Sequence, residues 1–298
     1  MSLRLSVVLI TLNEERNLGR TLASVKPLVA DGQGEIIVVD SGSTDRTVEI
    51  ARSFGAKVFV EPWKGFAAQK NSAIEKAEGE WVLSLDADEE VSPELVTLMS
   101  SLLRVGGPKP PGVIVEGLLV ALTALTGGAG LLLGKRSLVS GYYLPRKNFF
   151  LGRWIKHGGF WPDRKLRLFR RSSGRFLERP VHETARVDGP TGTLRGLFFR
   201  GALLHHSYPT LDVYLEHMRR YADLGAEMIK DKPRWWLLLN RWLNPPLTFF
   251  YNYVVRLGFL DGREGFLLHW NHRRYVGWKY ARALELSGQS KSATDSHG

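Results

Sequence analysis

Through the first hundred residues, short uninterrupted apolar runs alternate with stretches whose apolar positions recur at helical spacing. Ser6-Val7-Val8-Leu9-Ile10 has no polar alternation, the pattern of a strand buried on both faces. Asn17 to Val29 then carries Leu18, Leu22 and Val25 along one side of a helix. Glu35-Ile36-Ile37-Val38-Val39-Asp40 predicts a second buried strand, and Ser43-Thr44-Asp45 offers caps to a helix ending near Phe54. Lys57 to Val60, Phe66 to Ala77 and Trp81 to Leu85 predict a third strand, a helix and a fourth strand. Ser92-Pro93 starts a further helix with a cap and a first-turn proline. The order β-α-β-α-β-α-β implies a parallel sheet with helices on both faces. Such sheets bind ligands beyond the carboxyl ends of their strands, and Thr11, Asn13, Asp40, Asp86 and Asp88 stand there.

The pattern then changes. Residues 105–112 (Val-Gly-Gly-Pro-Lys-Pro-Pro-Gly) form a break, and Gly117 to Gly134 carries no charge. That glycine-rich run only just reaches the length of a membrane span, so a re-entrant, interfacial or buried segment is expected in its place. Arg146 to Arg200 is basic and rich in glycine and aromatics. Leu211 to Lys230 has helical spacing, and Trp235 to Leu260 mixes tryptophan, phenylalanine and tyrosine with Arg241 and Arg256, interrupted by Asn244-Pro245-Pro246. Aromatics and arginines on broken helices suit a lipid headgroup layer. The last dozen residues are small and polar and are expected to fray.

Composition narrows the classes of function. The 298 residues are 44% hydrophobic and 24% charged, which excludes a disordered or fibrous chain. The absence of cysteine removes disulfides, thiolate metal sites and a cysteine nucleophile. The run Ser6 to Leu12 is too short for a secretory h-region, which sets the cytoplasm as the expected compartment. The net charge of +11 is unevenly placed: residues 1–104 carry −5 and residues 105–298 carry +16. The basic half therefore expects an anionic partner.

Leu83-Ser84-Leu85-Asp86-Ala87-Asp88-Glu89 carries the most chemistry. Two carboxylates just past a buried strand can turn together toward a ligand, and hard oxygens of this kind hold Mg²⁺ or Mn²⁺ alongside substrate phosphates. Asp40 ends the second strand, where a base or ribose could be read, while Ser43, Thr44 and Asp45 read first as a turn and helix cap. Asn13-Glu14-Glu15 is open between capping and ligand contact, and Glu14 is kept as a candidate for the nucleotide-sugar site.

In order and spacing, Val7 to Glu14, Val38 to Asp45, Gln69-Lys70-Asn71 and Asp86-Ala87-Asp88 resemble glycosyltransferase family 2, the inverting GT-A-fold enzymes that use nucleotide sugars. Asn148 to Gly152, Gly158 to Asp163, Arg167 to Arg171, Val181-His182-Glu183 and Gly258 to Gly262 resemble its lipopolysaccharide-core subgroup, which adds glucose to inner-core heptose. The resemblance covers about residues 3–104 and 142–285, with the apolar stretch around 113–140 as an insertion. It implies an α/β GT-A catalytic domain over 1–208, with a nucleotide-sugar half (1–104) and an acceptor half (142–208). A helical, membrane-associating extension follows over 209–285, then a flexible tail over 286–298. It assigns Asp40 to uracil, Asp86 to the ribose and metal, and Asp88 to a metal bridging the diphosphate. Thr11, Asn13 and Lys70 would line the pocket, and His205 would complete the metal shell, with His206 as its neighbouring alternative. Arg167 and Arg170 are candidates for the charge that builds on the leaving diphosphate, against a solvated or lipid-facing surface. The acceptor hydroxyl needs a base, for which Glu183 is chosen and Asp163 is second; Glu183 could instead pair with Arg179 or Arg186.

The expected partners are a UDP-sugar, a saccharide acceptor on lipid or lipopolysaccharide core, and an anionic membrane surface on the inner face of the cytoplasmic membrane. Rival readings fare less well. No glycine-rich dinucleotide turn follows the first strand, and Gly134-Lys135 lacks the rest of a phosphate-binding loop. A nucleotidyltransferase would want a basic glycine-rich loop where Asn13-Glu14-Glu15 is acidic. A non-catalytic protein binding nucleic acid or a membrane surface would use the basic half, yet no nucleic-acid module is recognisable and nucleic acid is not an expected partner.

Overall fold

The computed structural model describes residues 4–103, 113–114, 139–178, 184–194 and 201–295. The chain divides into two compact units, residues 1–146 with 164–205, and residues 147–163 with 206–298. The acceptor half expected over 142–208 is thus shared between them, because its stretch 147–163 packs with the carboxyl-terminal helices. The apolar stretch 117–134 lies outside the described residues, as do Val181, His182 and Glu183.

The first unit opens with the four predicted strands. They are β1 (Leu5–Thr11), β2 (Gly34–Asp40), β3 (Lys57–Val60) and β4 (Trp81–Leu85), ordered β3-β2-β1-β4 and all parallel. Alternate side chains fill two separate cores. Val7, Leu9, Val38, Leu83 and Leu85 pack against Leu18, Leu22 and Val25 of α1 (Leu18–Val29). Val8, Ile37, Val39 and Val82 pack with Ala67, Ala73 and Ile74 of α3 (Phe66–Glu75). That two-sided burial is why these strands read as unbroken apolar runs. Between them, α2 (Thr47–Ser53) follows a turn in which Asp45 Oδ1 accepts from the Thr47 amide at 2.9 Å; the residue before the helix is Arg46, whose side chain makes no capping bond. Gly79 lets β4 enter beside β1: a Cβ there would lie 2.6 Å from the Ser6 amide nitrogen.

After β4 come β5 (Glu89–Val91), α4 (Pro93–Leu103) and β6 (Val113–Ile114). Ser92 accepts from the Leu95 amide at 3.4 Å, the cap read from Ser92-Pro93. Then follow β7 (Gly141–Phe150), β8 (Arg153–Trp154), β9 (Asp163–Arg170), the hairpin β10 (Gly174–Leu177) and β11 (Thr184–Val187), β12 (Thr191–Leu194) and β13 (Leu203–Tyr208). β9 runs antiparallel to β4, pairing Leu83 with Leu168 and Trp81 with Arg170, so the sheet is mixed beyond its parallel beginning. β13 runs antiparallel to β5 and sets His205 opposite Glu89.

The second unit is mainly helical: α5 (Leu211–Glu227), α6 (Arg234–Phe250) and α7 (Gly262–Asp295). The expected break at Asn244-Pro245-Pro246 does not occur. Proline removes an amide donor and crowds the carbonyl four residues back, but α6 runs through both prolines and continues as a π turn over Tyr251–Val255. Asn244 braces the passage by donating to Asn240 Oδ1 at 2.8 Å and to the Tyr280 hydroxyl at 2.6 Å. α7 likewise extends to Asp295, into the stretch expected to fray. Among the described residues no helix is long and apolar enough to cross a membrane.

His269 lies on the buried side of α7, 1% exposed, with Gly158 and Gly258 against its ring. A Cβ on either glycine would fall 2.2 or 2.4 Å from an imidazole atom. Among the described residues neither ring nitrogen has a hydrogen-bond partner, and burial, with a smaller push from His272 against the pull of Asp261, lowers the imidazole to about 4. The folded chain keeps this ring neutral while the unfolded chain protonates it near pH 6.5, so stability declines as pH falls through 6.5 and levels off below 4. The expected loss is about 3 kcal/mol by that point, and denaturant melts from pH 7 to 4 of wild type and His269→Asn, which should respond less, measure it.

Candidate active site

The parallel sheet ends in two turns that the chain ties together. At the end of β2, Asp40 is completely buried and spends both oxygens on its own surroundings. Oδ1 accepts from the amides of Gly42 (3.0 Å) and Ser43 (2.8 Å). Oδ2 accepts from the hydroxyls of Thr11 (2.8 Å) and Ser43 (2.5 Å). These four donors orient the Asp40 carboxylate and tie Thr11 and the Gly42–Ser43 turn to it. Asn13, at the end of β1 with φ +55°, accepts from the Thr44 amide at 2.8 Å, and its own amide donates to Ser43 Oγ at 2.8 Å. Asparagine tolerates this left-handed backbone because its short amide bonds locally. The Glu14 amide donates to Thr47 Oγ1 at 2.7 Å and the Glu15 amide to Asp45 Oδ2 at 3.1 Å, so the two loops are stitched along their length.

At the end of β4, Asp86 to Glu89 form a turn closed from both sides. The Glu89 amide donates to the Asp86 carbonyl and the Asp86 amide to Glu89 Oε2, each at 3.1 Å. Thr21 of α1 donates to the Ala87 carbonyl at 2.6 Å and fixes the residue between the two aspartates.

Asp86 lies between two cations. Lys70 of α3 donates to Oδ1 at 2.7 Å, and Arg167 of β9 donates to Oδ2. Arg167 also reaches Glu89 Oε1 at 2.8 Å, and Arg146 reaches the same oxygen at 2.9 Å. Lys70, Arg167 and Glu89 are all buried. Burial alone would raise the Asp86 carboxyl, but Arg167 and Lys70 overcome it and hold it well below the usual range. Burial likewise opposes the Arg167 charge, and Asp86 and Glu89 reverse this and raise its pKa.

Asp88, two residues on, pairs instead with His205. Its Oδ2 lies 3.4 Å from His205 Nε2, and the histidine holds its pKa down against the desolvation that would raise it. Glu14 is a further carboxylate near this edge. Burial raises its pKa, Asn17 opposes the rise, and the charges of Asp88, Asp45 and Asp86 add to it. Among the described residues no group of three or more histidines and carboxylates forms a complete metal cage.

Other expected residues lie elsewhere. Arg170 stands opposite Trp81 at the amino end of β4, paired with Glu80 and with its guanidinium 4.8 Å from the centroid of the Trp81 ring, so it does not join the strand-end site. His206 stacks on Phe149 with centroids 4.7 Å apart, leaving His205 as the histidine beside Asp88. Asp163, in the second unit, accepts from Asn148 Nδ2 at 3.1 Å. Glu183 lies outside the described residues. Sequence reasoning missed Glu89 and Arg146. Glu89 adjoins the acid pair, which is a usable signal, whereas Arg146 is one of many basic residues in its stretch.

The carboxyl edge of this α/β sheet thus carries an acid pair, a histidine and a buried cationic network. Residues 6–108 match the model of Glycosyl transferase family 2. It is 28% identical over 269 residues to the lipopolysaccharide core biosynthesis glycosyltransferase LpsC of Rhizobium meliloti, covering 87% of this chain and 82% of that one. An uncharacterized glycosyltransferase of Rickettsia bellii is 50% identical over 92 residues, 31% of this chain and 30% of its own. Among solved structures, the mannosyltransferase PcManGT of Pyrobaculum calidifontis, in complex with GDP-Man and Mn²⁺, superposes over 100% of this chain and 76% of its own at 16% identity and a TM-score of 0.46.

Proposed function

We propose that the protein transfers a hexose, glucose first among the candidates, with inversion from a UDP-sugar to a saccharide acceptor of lipopolysaccharide core or another lipid-linked glycan. The observation that carries this reading is Asp88 beside His205 at the edge of the parallel sheet, next to Asp86 already neutralised by Lys70 and Arg167. The likeness to LpsC over most of both chains supports the acceptor class.

The donor set fits a divalent cation. A carboxylate oxygen and an imidazole nitrogen 3.4 Å apart can share one ion, and Mg²⁺ or Mn²⁺ fills its remaining positions with water and substrate phosphate. Asp88 and His205 would hold it, and when bound it offsets the charge that grows on the departing nucleoside diphosphate. Asp86 was expected on both ribose and metal; with each oxygen on a cation, its place in this reading is to fix the turn that aims Asp88. Arg167 acts there too, as a positioning residue. Asp40 shapes the base side of the pocket through the Gly42–Ser43 turn, and Asn13, Thr11 and Glu14 through the loop stitched to it. Glu183 takes the proton of the acceptor hydroxyl as it attacks, with Asp163 as the second choice.

Thermal-shift titration tests the donor and metal together. UDP with Mn²⁺ or Mg²⁺ should raise the melting temperature by several degrees, with little change for UDP or metal alone. Hydrolysis measured over a panel of nucleotide sugars should favour UDP-glucose. Stabilisation by an oligonucleotide without metal, and none by UDP with metal, would move the reading to a polyanion-binding protein.

A further inference from the structure

Helix α6 is built inside out. Its side toward the second unit's own core carries Trp236, Leu237, Asn240 and Asn244, with the two asparagines joined to each other and to Tyr280. Its opposite side carries Trp235, Leu239, Trp242, Leu243, Leu247 and Phe250, with Trp235 66% and Trp242 75% exposed. A helix between a protein core and water does the reverse and turns its polar residues outward. The apolar side does not stop with the helix. It continues through Tyr251, Val254 and Val255 of the π turn to Leu257, Phe259 and Leu260, all exposed. Phe249 then joins it to Phe266 and Trp270 of α7, at ring distances of 6.2 and 5.6 Å. Most of the large apolar side chains exposed among the described residues lie on this one surface. A patch of this extent marks a place where water is displaced.

Its charge indicates what displaces the water. Residues 234–260 contain three arginines, Arg234, Arg241 and Arg256, all exposed, and no acidic residue. The Arg273 guanidinium lies 3.9 Å from the centroid of the Trp270 ring at the far edge. A second copy of the same surface would bring arginine against arginine. An anionic lipid leaflet instead takes arginines at its phosphates, tryptophans at the headgroup boundary and leucines among the acyl chains. With Arg241 midway along its roughly 25 Å, α6 fits flat in the interface and not across it.

We propose that the outward face of α6, the turn after it and the start of α7 form a docking surface for an anionic bilayer, inserting Trp235, Leu239, Trp242 and Leu243 below the headgroups. This goes beyond the proposed transfer reaction and stands or falls independently of it. Cosedimentation of the full-length chain with vesicles tests it, comparing phosphatidylcholine alone with phosphatidylcholine containing phosphatidylglycerol, at low and high salt. Wild type should partition onto the anionic vesicles and remain partly bound at high salt, because the apolar contact is not screened, with a blue shift of tryptophan emission. Leu239→Glu with Trp242→Glu, both at exposed positions, should lower the partition coefficient roughly tenfold or more, while the melting temperature and vesicle-free sugar-nucleotide turnover stay unchanged. Three results would overturn the proposal: wild type left in solution with every vesicle, an equally bound double variant, or a dimer in sedimentation equilibrium that the double variant dissolves.

Discussion

Asp88→Ala should lower sugar transfer on the order of 10³-fold while leaving the melting temperature within a few degrees of wild type. The two expectations separate because Asp88 meets His205 at 3.4 Å at the rim, outside the buried network that holds the turn. The same variant should lose the stabilisation that UDP gains from Mn²⁺ or Mg²⁺. His205→Ala should follow it in direction with a smaller loss, since a carboxylate is the harder ligand. Glu183→Gln should bind UDP and metal as wild type does and turn over slowly. Retained transfer by purified Asp88→Ala would remove the cation from the site, and equal rates for Glu183→Gln and wild type would shift the base to Asp163.

Arg167→Met should act in the opposite way, on the fold before the chemistry. The guanidinium joins Asp86 to Glu89, and its removal leaves Glu89 with Arg146 and Asp86 with Lys70. Taking one partner from a buried ionic network costs about 3–5 kcal/mol, which in a domain of this size lowers the melting temperature on the order of 10 °C. Arg167→Lys should recover part of this, because an ammonium can meet one carboxylate but not fork between two. Asp86 is held below its ordinary pKa, so its contribution is complete above the usual carboxylate range and is lost progressively as pH falls from that range to the depressed value. Calorimetry of wild type, Arg167→Met and Arg167→Lys at neutral and acid pH reads all three effects; a methionine variant as stable as wild type would show the network to be dispensable.

The parts of the fold that were legible in the sequence are those whose burial repeats locally. β1, β2 and β4 carry apolar side chains on both faces, so five consecutive residues suffice to identify them. The antiparallel entry of β9 beside β4 was not legible, because Arg164, Lys165 and Arg167 give a run of charge, and the partners of Arg167, Asp86 and Glu89, lie 81 and 78 residues earlier. That pairing decides which arginine matters. Three residues along a strand is an odd number, so Arg167 and Arg170 project from opposite faces and sit about 10 Å apart along the axis. One reaches Asp86 at the carboxyl edge and the other Glu80 at the amino edge. Basic residues counted along the chain look equivalent; register separates them. Pro245-Pro246 misled for a different reason. Helix-breaking strength is a property of the isolated backbone, whereas here Asn244 and Tyr280 hold the turn from the side. Asp40 was visible as a strand-end carboxylate, but its four donors come from a turn whose shape could not be read from residue types.

The stitched loops after β1 and β2 have a consequence for changing what the enzyme accepts. Asn13 holds Thr44 and Ser43, Glu14 leans on Thr47, Glu15 on Asp45, and Thr11 on Asp40. Each loop is the mould in which the other sets. Transplanting one of them from a relative with a different donor would import half of a matched joint, so donor preference should transfer only when both segments are exchanged as a pair.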